Sequence, residues 1–217
     1  MPNLNQLRES ICRHGESLYA RSLTNGSSGN ISARTSDGGL LVTPTGSSLG
    51  SLDPAELTLL DAQGNHVSGK PATKEMPLHH AFYDTRGDRT GAIVHLHSTH
   101  SVALSVLPDT DPDNVLPPIT AYSIMRLGKV RLLPYFRPGD PAMGDAVRGL
   151  AGKRSAVLLA NHGPVVTAKD LDAAVFSTEE LEETAKLALL LRGHPINLLT
   201  SSQIEDVVNT FSVEWED

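Results

Sequence analysis

Ala92-Ile93-Val94-His95-Leu96-His97-Ser98 is the stretch on which the reading of this chain turns. Its β-branched and apolar residues read as a strand from Ala92 to His97. Residues i and i+2 of a strand project from the same face. His95 and His97 therefore project together, about one metal's reach apart. Two adjacent neutral imidazoles suit Zn2+, and a third ligand then comes from elsewhere in the chain. His162 is the best third candidate. It sits in the tight segment Asn161-His162-Gly163 between two apolar strands, where glycine lets backbone crowd close. A bare His-x-His pair is as often two ordinary sheet histidines, so these three need further company. His79, His80 and His100 are alternatives. The first two are helix neighbours pointing in different directions, and His100 lies at a helix start. His14, His66 and His194 read as surface residues.

Upstream of this stretch, Leu4, Leu7, Ile11 and Leu18 recur at helical spacing and predict a helix over residues 4–20. Ile31–Arg34 and Leu40–Thr43 read as strands around the turn Asp37-Gly38-Gly39. Asp53-Pro54-Ala55-Glu56 has the form of a short helix start. Leu57–Leu60 and His66–Ser68 read as a hairpin around Gln63-Gly64-Asn65. A second helix begins at Thr73 or Lys74 and runs to about Thr85. Downstream, Thr99 starts a helix through Leu107, and Pro108–Pro118 is a proline-rich loop. Val130–Pro134 is a strand, and Asp140-Pro141 caps a helix to about Leu150. Ala156–Ala160 and Pro164–Thr167 are strands, and Asp170 caps the longest helix, ending near Arg192. Capping boxes at Thr200–Gln203 and Ser202–Glu205 both fit a last helix with Ile204, Val207, Val208 and Phe211 on one face. Hairpins mixed with helices, without strict βαβα alternation, point to an α/β fold with a largely antiparallel sheet covered by helices.

The chain has 217 residues with 39% hydrophobic and 4% aromatic residues, so one domain with a core of Leu, Val, Ala and Ile is expected. Its 18 Lys and Arg against 25 Asp and Glu give a formal charge of -7, which disfavours a nucleic-acid or polybasic membrane partner. Cys12 is the only cysteine, which excludes an internal disulfide and a thiolate metal cluster. No signal peptide or spanning segment is evident, so the expected address is the cytoplasm.

Two further features carry chemistry. Glu75 lies at the first turn of the second predicted helix, where the helix dipole favours a carboxylate. Near a metal it can act as a fourth ligand or a proton carrier. Gly26-Ser27-Ser28-Gly29-Asn30, Thr43-Pro44-Thr45-Gly46-Ser47-Ser48 and Thr73-Lys74 are loops of small residues and hydroxyls, suited to an anion. None is a Walker A loop or a dinucleotide fingerprint. Gly46-Ser47-Ser48-Leu49-Gly50 matches G-x-S-x-G, but a nucleophile elbow needs a helix leaving directly at the serine, and here the helix start waits until Asp53-Pro54.

Taken in order, Gly29-Asn30-Ile31-Ser32, Thr43-Pro44-Thr45-Gly46, Glu75, His95-x-His97 and Asn161-His162-Gly163 resemble the class II aldolase/adducin family over about residues 4–210. The resemblance implies a single domain over residues 1–217 with the α/β/α class II aldolase fold. It implies one Zn2+ per subunit on His95, His97 and His162, with Glu75 as catalytic acid and ligand of the resting metal. It places a substrate phosphate on Gly29, Asn30, Thr45, Gly46, Thr73 and Lys74. It implies a homotetramer with active sites between subunits, and Tyr122 as a second acid in the region where some members keep a catalytic tyrosine. Within the family, Pro71-Ala72-Thr73-Lys74-Glu75-Met76-Pro77-Leu78-His79 and Asn161-His162-Gly163-Pro164 look most like the 3-oxo-tetronate 4-phosphate decarboxylases. These act on a phosphorylated sugar acid, losing CO2 through a zinc-stabilised enediolate to give dihydroxyacetone phosphate. A fuculose-phosphate-type aldolase, a 4-epimerase and a non-catalytic adducin-like scaffold are the alternatives. Aldolases usually show paired serines where Thr73 and Lys74 stand, epimerases usually carry Asp where Glu75 stands, and a scaffold has no need of the histidine set.

Overall fold

The structure, a computed structural model, describes residues 3–215. Its centre is an eight-stranded sheet of β1 (Asn30–Arg34), β2 (Leu40–Val42), β3 (Thr58–Leu60), β4 (His66–Ser68), β5 (Ala92–His95), β6 (Arg131–Leu133), β7 (Ala156–Leu159) and β8 (Gly163–Ala168). The order is β4-β3-β2-β1-β5-β8-β7-β6, and every pairing is antiparallel except β6 with β7. The helices are α1 (Leu4–Ala20), α2 (Met76–Arg86), α3 (Thr99–Ser105), α4 (Ala121–Leu127), α5 (Ala142–Gly149), α6 (Leu171–Leu190) and α7 (Ser201–Phe211).

The alternation of β5 assigns the two faces. Ala92, Val94 and Leu96 bury with Leu7, Ile11 and Leu18 of α1 and Leu171 and Val175 of α6. Ile93 turns the other way, into a cluster with Leu78 and Phe82 of α2 and Met143 and Val147 of α5. His95 follows Ile93 by two and shares its face, the one α2 covers. Each fully buried Leu, Ile or Phe of these clusters contributes roughly 1.5–3 kcal/mol. A third cluster joins Leu104 of α3, Leu127 of α4, Leu158 of β7 and Leu181 of α6. No helix among the described residues is long and apolar enough to cross a membrane.

The expected antiparallel sheet is present, with several local differences. The second helix starts at Met76, after Thr73 and Lys74, because Glu75 takes the N-cap position and Pro77 lies in the first turn. Asp53 does not start a helix: its carboxylate accepts from Ala55 N at 2.9 Å and closes a single turn before β3 draws the chain into the sheet. A one-turn 3-10 helix lies earlier, over Leu49–Ser51, and Ser48 Oγ caps it by accepting from Gly50 N at 3.3 Å. The hydroxyl of the G-x-S-x-G match thus serves its own backbone. Finally, α4 carries too few residues for a periodic signal; Thr120 caps it through Ser123 N at 3.2 Å, and Gly128 ends it. Of the two capping boxes, Thr200–Gln203 is the one that forms.

Candidate active site

The C-terminal end of β5 lies at the middle of the sheet, where three segments meet. Asn30 of β1 and Val165 of β8 are the register partners of His95. Between β7 and β8 the chain turns through Asn161 at φ 57°, a left-handed conformation that asparagine tolerates. That turn carries His162 back over the sheet end. β5 leaves the ladder after His95, earlier than expected, yet His97 still points with it.

The three imidazoles converge. His95 Nε2 is 3.2 Å from His97 Nε2 and 3.3 Å from His162 Nε2. Among the described residues these three form a group able to hold one metal ion, with ligand atoms all within 4.8 Å of one another. For tetrahedral zinc with Zn–N near 2.0–2.1 Å, ligand nitrogens stand ~3.4 Å apart. The two spacings at His95 match that value. His95 Nδ1 donates to the Pro164 carbonyl at 2.9 Å, which leaves Nε2 with its lone pair facing inward. Burial pushes His97 and His162 down to about 4, and the neighbouring His95 adds to the effect. They are therefore neutral near pH 7, the form that ligates a cation. The donor set and spacing fit a divalent metal with an open position.

Glu75 closes the site from α2. Its carboxylate makes no capping bond to its own helix. Oε2 lies 3.3 Å from His95 Nε2, and Oε1 lies 3.6 Å from His162 Nε2. Asn30 Nδ2 donates to Oε2 at 2.8 Å. Burial works to raise the carboxyl, but His95, the Asn30 hydrogen bond, His162 and His79 outweigh it and hold Glu75 below the usual carboxylate range.

The small-residue loops border this cluster. An antiparallel bridge between Pro44 and Ala72 and the bond from Thr45 N to the Pro71 carbonyl at 3.0 Å lay the 43–47 loop along the 71–74 segment. Thr45, Gly46 and Lys74 are exposed there. Thr73 is buried, its hydroxyl accepting from Glu75 N at 3.3 Å. Gly29 takes φ 80°, and a Cβ on it would stand 2.9 Å from the His95 carbonyl, so glycine is required there. Asn30 is brought to the carboxylate and not left open to a ligand.

Tyr122 is 53% exposed and lies elsewhere, in a cavity of about 490 Å3 lined also by Arg21, Arg126, Phe176 and Glu180, with none of the clustered histidines. His100 is spent on Glu182, whose carboxylate also accepts from the first amides of α3. His79, read as an alternative ligand, instead bonds Asn30 and Ser32. Sequence reasoning missed this group. The signal was present: Asn30 and Ser32 share a strand face, and Glu75, His79 and Tyr83 are spaced by four on a helix face.

Residues 9–189 match the model of the Class II Aldolase and Adducin N-terminal domain. The chain belongs to the class II aldolase/adducin family. Among its relatives, the 3-oxo-tetronate 4-phosphate decarboxylase of Cupriavidus necator is 48% identical over 219 residues, covering 99% of this chain and 100% of the relative. The enzyme of the same name from Escherichia coli K12 is 47% identical, covering 93% and 94%. The solved structure of YgbL from Klebsiella pneumoniae superposes with a TM-score of 0.92 at 44% identity, covering 95% of this chain and 100% of that one.

Proposed function

We propose that this chain is a zinc-dependent carbon–carbon lyase that decarboxylates 3-oxo-tetronate 4-phosphate to dihydroxyacetone phosphate and CO2. The observation that carries the reading is the convergence of His95, His97 and His162 with a carboxylate 3.3 Å from the central imidazole. The names of relatives 47% and 48% identical over nearly the whole chain supply the substrate class.

Loss of CO2 beside a ketone leaves an electron pair on an enediolate. His95, His97 and His162 would hold the divalent cation, which when bound supplies a Lewis acid for that developing charge. The chain's own residues do the rest. Glu75 carries one proton from solvent to the carbon that lost CO2, and its carboxylate is held in place for that transfer by Asn30. Gly29, Thr45, Gly46, Thr73 and Lys74 line the phosphate end, with Lys74 supplying positive charge. Asn30 serves the carboxylate first and the substrate through it. We further read the chain as a single cytoplasmic domain in a homotetramer with one zinc per subunit. Tyr122, exposed and outside this chain's histidine cluster, would act as a second acid only across a subunit boundary.

The test is incubation of metal-loaded protein with both epimers of 3-oxo-tetronate 4-phosphate, measuring CO2 and triose phosphate together with bound metal. Stoichiometric CO2 and dihydroxyacetone phosphate, lost on chelation and restored by Zn2+, is the expected result. Equal rates from metal-stripped protein overturn the mechanism. Triose phosphate released only from a ketose phosphate, without CO2, assigns the site to an aldolase.

A further inference from the structure

Behind the carboxylate runs a buried chain of side chains that the metal chemistry does not use. Glu75 Oε2 accepts from Asn30 Nδ2 at 2.8 Å. Asn30 Oδ1 lies 2.5 Å from His79 Nε2. His79 Nδ1 lies 2.7 Å from Ser32 Oγ, which lies 2.9 Å from the Tyr83 hydroxyl. His79 and Ser32 have no solvent exposure, and Asn30, Glu75 and Tyr83 are buried.

The direction of every bond follows from one end. An ionised carboxylate only accepts, so the Asn30 amide must turn its NH2 toward Glu75. Its carbonyl oxygen then faces His79 and needs a donor, so His79 carries its hydrogen on Nε2. His79 Nδ1 is left as an acceptor, so Ser32 donates to it, and Tyr83 donates to Ser32. A reversed Asn30 amide would set its oxygen against the carboxylate and leave buried groups unpaired, which burial penalises.

We propose that His79 is a positioning residue: as the neutral Nε2–H tautomer it fixes the Asn30 amide, which clamps Oε2 of Glu75 and leaves Oε1 as the oxygen that carries the proton. The assignment of Oε1 rests on the reading of Glu75 as proton carrier; the tautomer does not. Oε1 lies 3.6 Å from His162 Nε2, beyond hydrogen-bond distance, whereas Oε2 is already held by Asn30 and faces His95. A hydrogen bond donated to a charged carboxylate is worth more than a neutral pair, and the neutral bonds behind Asn30 fix the amide that donates it.

Two measurements test this. Long-range 1H–15N NMR of the metal-free protein near pH 7 reads the His79 tautomer without substrate, and so stands whether or not the decarboxylase reading does. The Nε2–H form is expected; an Nδ1–H or doubly protonated ring overturns the proposal. In the metal-loaded enzyme, His79→Leu is expected to lower kcat by about tenfold or more, with KM changed less than about threefold and bound metal unchanged. His79→Gln can present an amide N–H toward Asn30 and is expected to recover most of that loss. Equal losses in both variants, or full kcat in His79→Leu, overturn it. If His79→Leu does not fold, the tautomer alone decides.

Discussion

Asn30 and His95 are direct register partners across the β1–β5 ladder. The residue that grips the Glu75 carboxylate and the central imidazole of the cluster are therefore fixed to each other by backbone hydrogen bonds. Carboxylate and imidazole hold their 3.3 Å separation without a flexible loop between them. A fixed pairing of this kind would suit the proton transfer proposed for Glu75.

Glu75→Gln keeps the shape and the pairing with Asn30 but cannot carry a proton. It is expected to reduce kcat by about 100- to 10,000-fold, the usual worth of a positioned acid or base. KM should change little, since the loops proposed to hold the phosphate are untouched. Steady-state kinetics with bound metal measured in parallel check this. A kcat within threefold of the parent enzyme removes Glu75 from the reaction.

Gly163→Ala is a sharper probe of the metal cluster than any ligand exchange. A Cβ there would stand 2.1 Å from the Leu96 carbonyl oxygen and 3.2 Å from the His97 Cα. The β8 start must then shift away from β5, separating His162 from His95 while all three ligands remain. A loss of roughly tenfold or more in metal affinity is expected, the scale of disturbing a residue that orients a ligand. Competition titration with a zinc chelator measures it, and unchanged affinity contradicts the geometry.

The stability of the metal-free protein should fall on mild acidification. Burial, helped by His95, pushes His79 down to about 3, against ~6.5 for an unfolded histidine. Between those values the unfolded chain binds a proton that the folded chain refuses, so stability rises with pH across that window and is lost as pH falls through it. His79 alone contributes a slope of ~1.4 kcal/mol per pH unit there. His97 and His162 act in the same direction with more solvent screening. Glu75, already held ionised, adds nothing until lower pH. Urea midpoints should drop from pH 7 to pH 5, and less steeply in His79→Gln. A flat profile in the parent protein refutes the neutral buried histidine.

Much of this arrangement was legible in the sequence because its signals are local. Alternation in Ala92–His95 set the strand, and the i, i+2 spacing set His95 beside His97. Asp170 and Thr200 marked their helix starts by capping chemistry. Elements whose decisive contacts are distant were not legible. The seven residues of α4 hold together through Leu127 and Ile124 packing on the fold, not through their own periodicity. Asp53 and Glu56 carry helix-start chemistry, but β3 pairs with β2 immediately afterwards and takes the chain away. His79 needed its helical spacing from Glu75 and Tyr83 to be matched with the strand spacing of Asn30 and Ser32, which only the pairing of α2 with the sheet reveals.

Lys74→Ala tests the proposed anion end of the site independently of the metal. Lys74 is exposed beside the 43–47 loop, and the Pro44–Ala72 bridge fixes the two segments together. Thr73 Oγ1 also accepts from Glu75 N, so of this pair the lysine is the one that would bring charge to a phosphate. A charge-assisted hydrogen bond of about 1.5–3 kcal/mol corresponds to a KM increase of roughly 10- to 150-fold. The expected rise is in KM, with kcat within about threefold, because the phosphate contact is made in the bound substrate and the transition state alike. Inorganic phosphate should inhibit the parent enzyme competitively and the variant more weakly. A variant with unchanged KM and unchanged phosphate inhibition moves the phosphate site away from this loop.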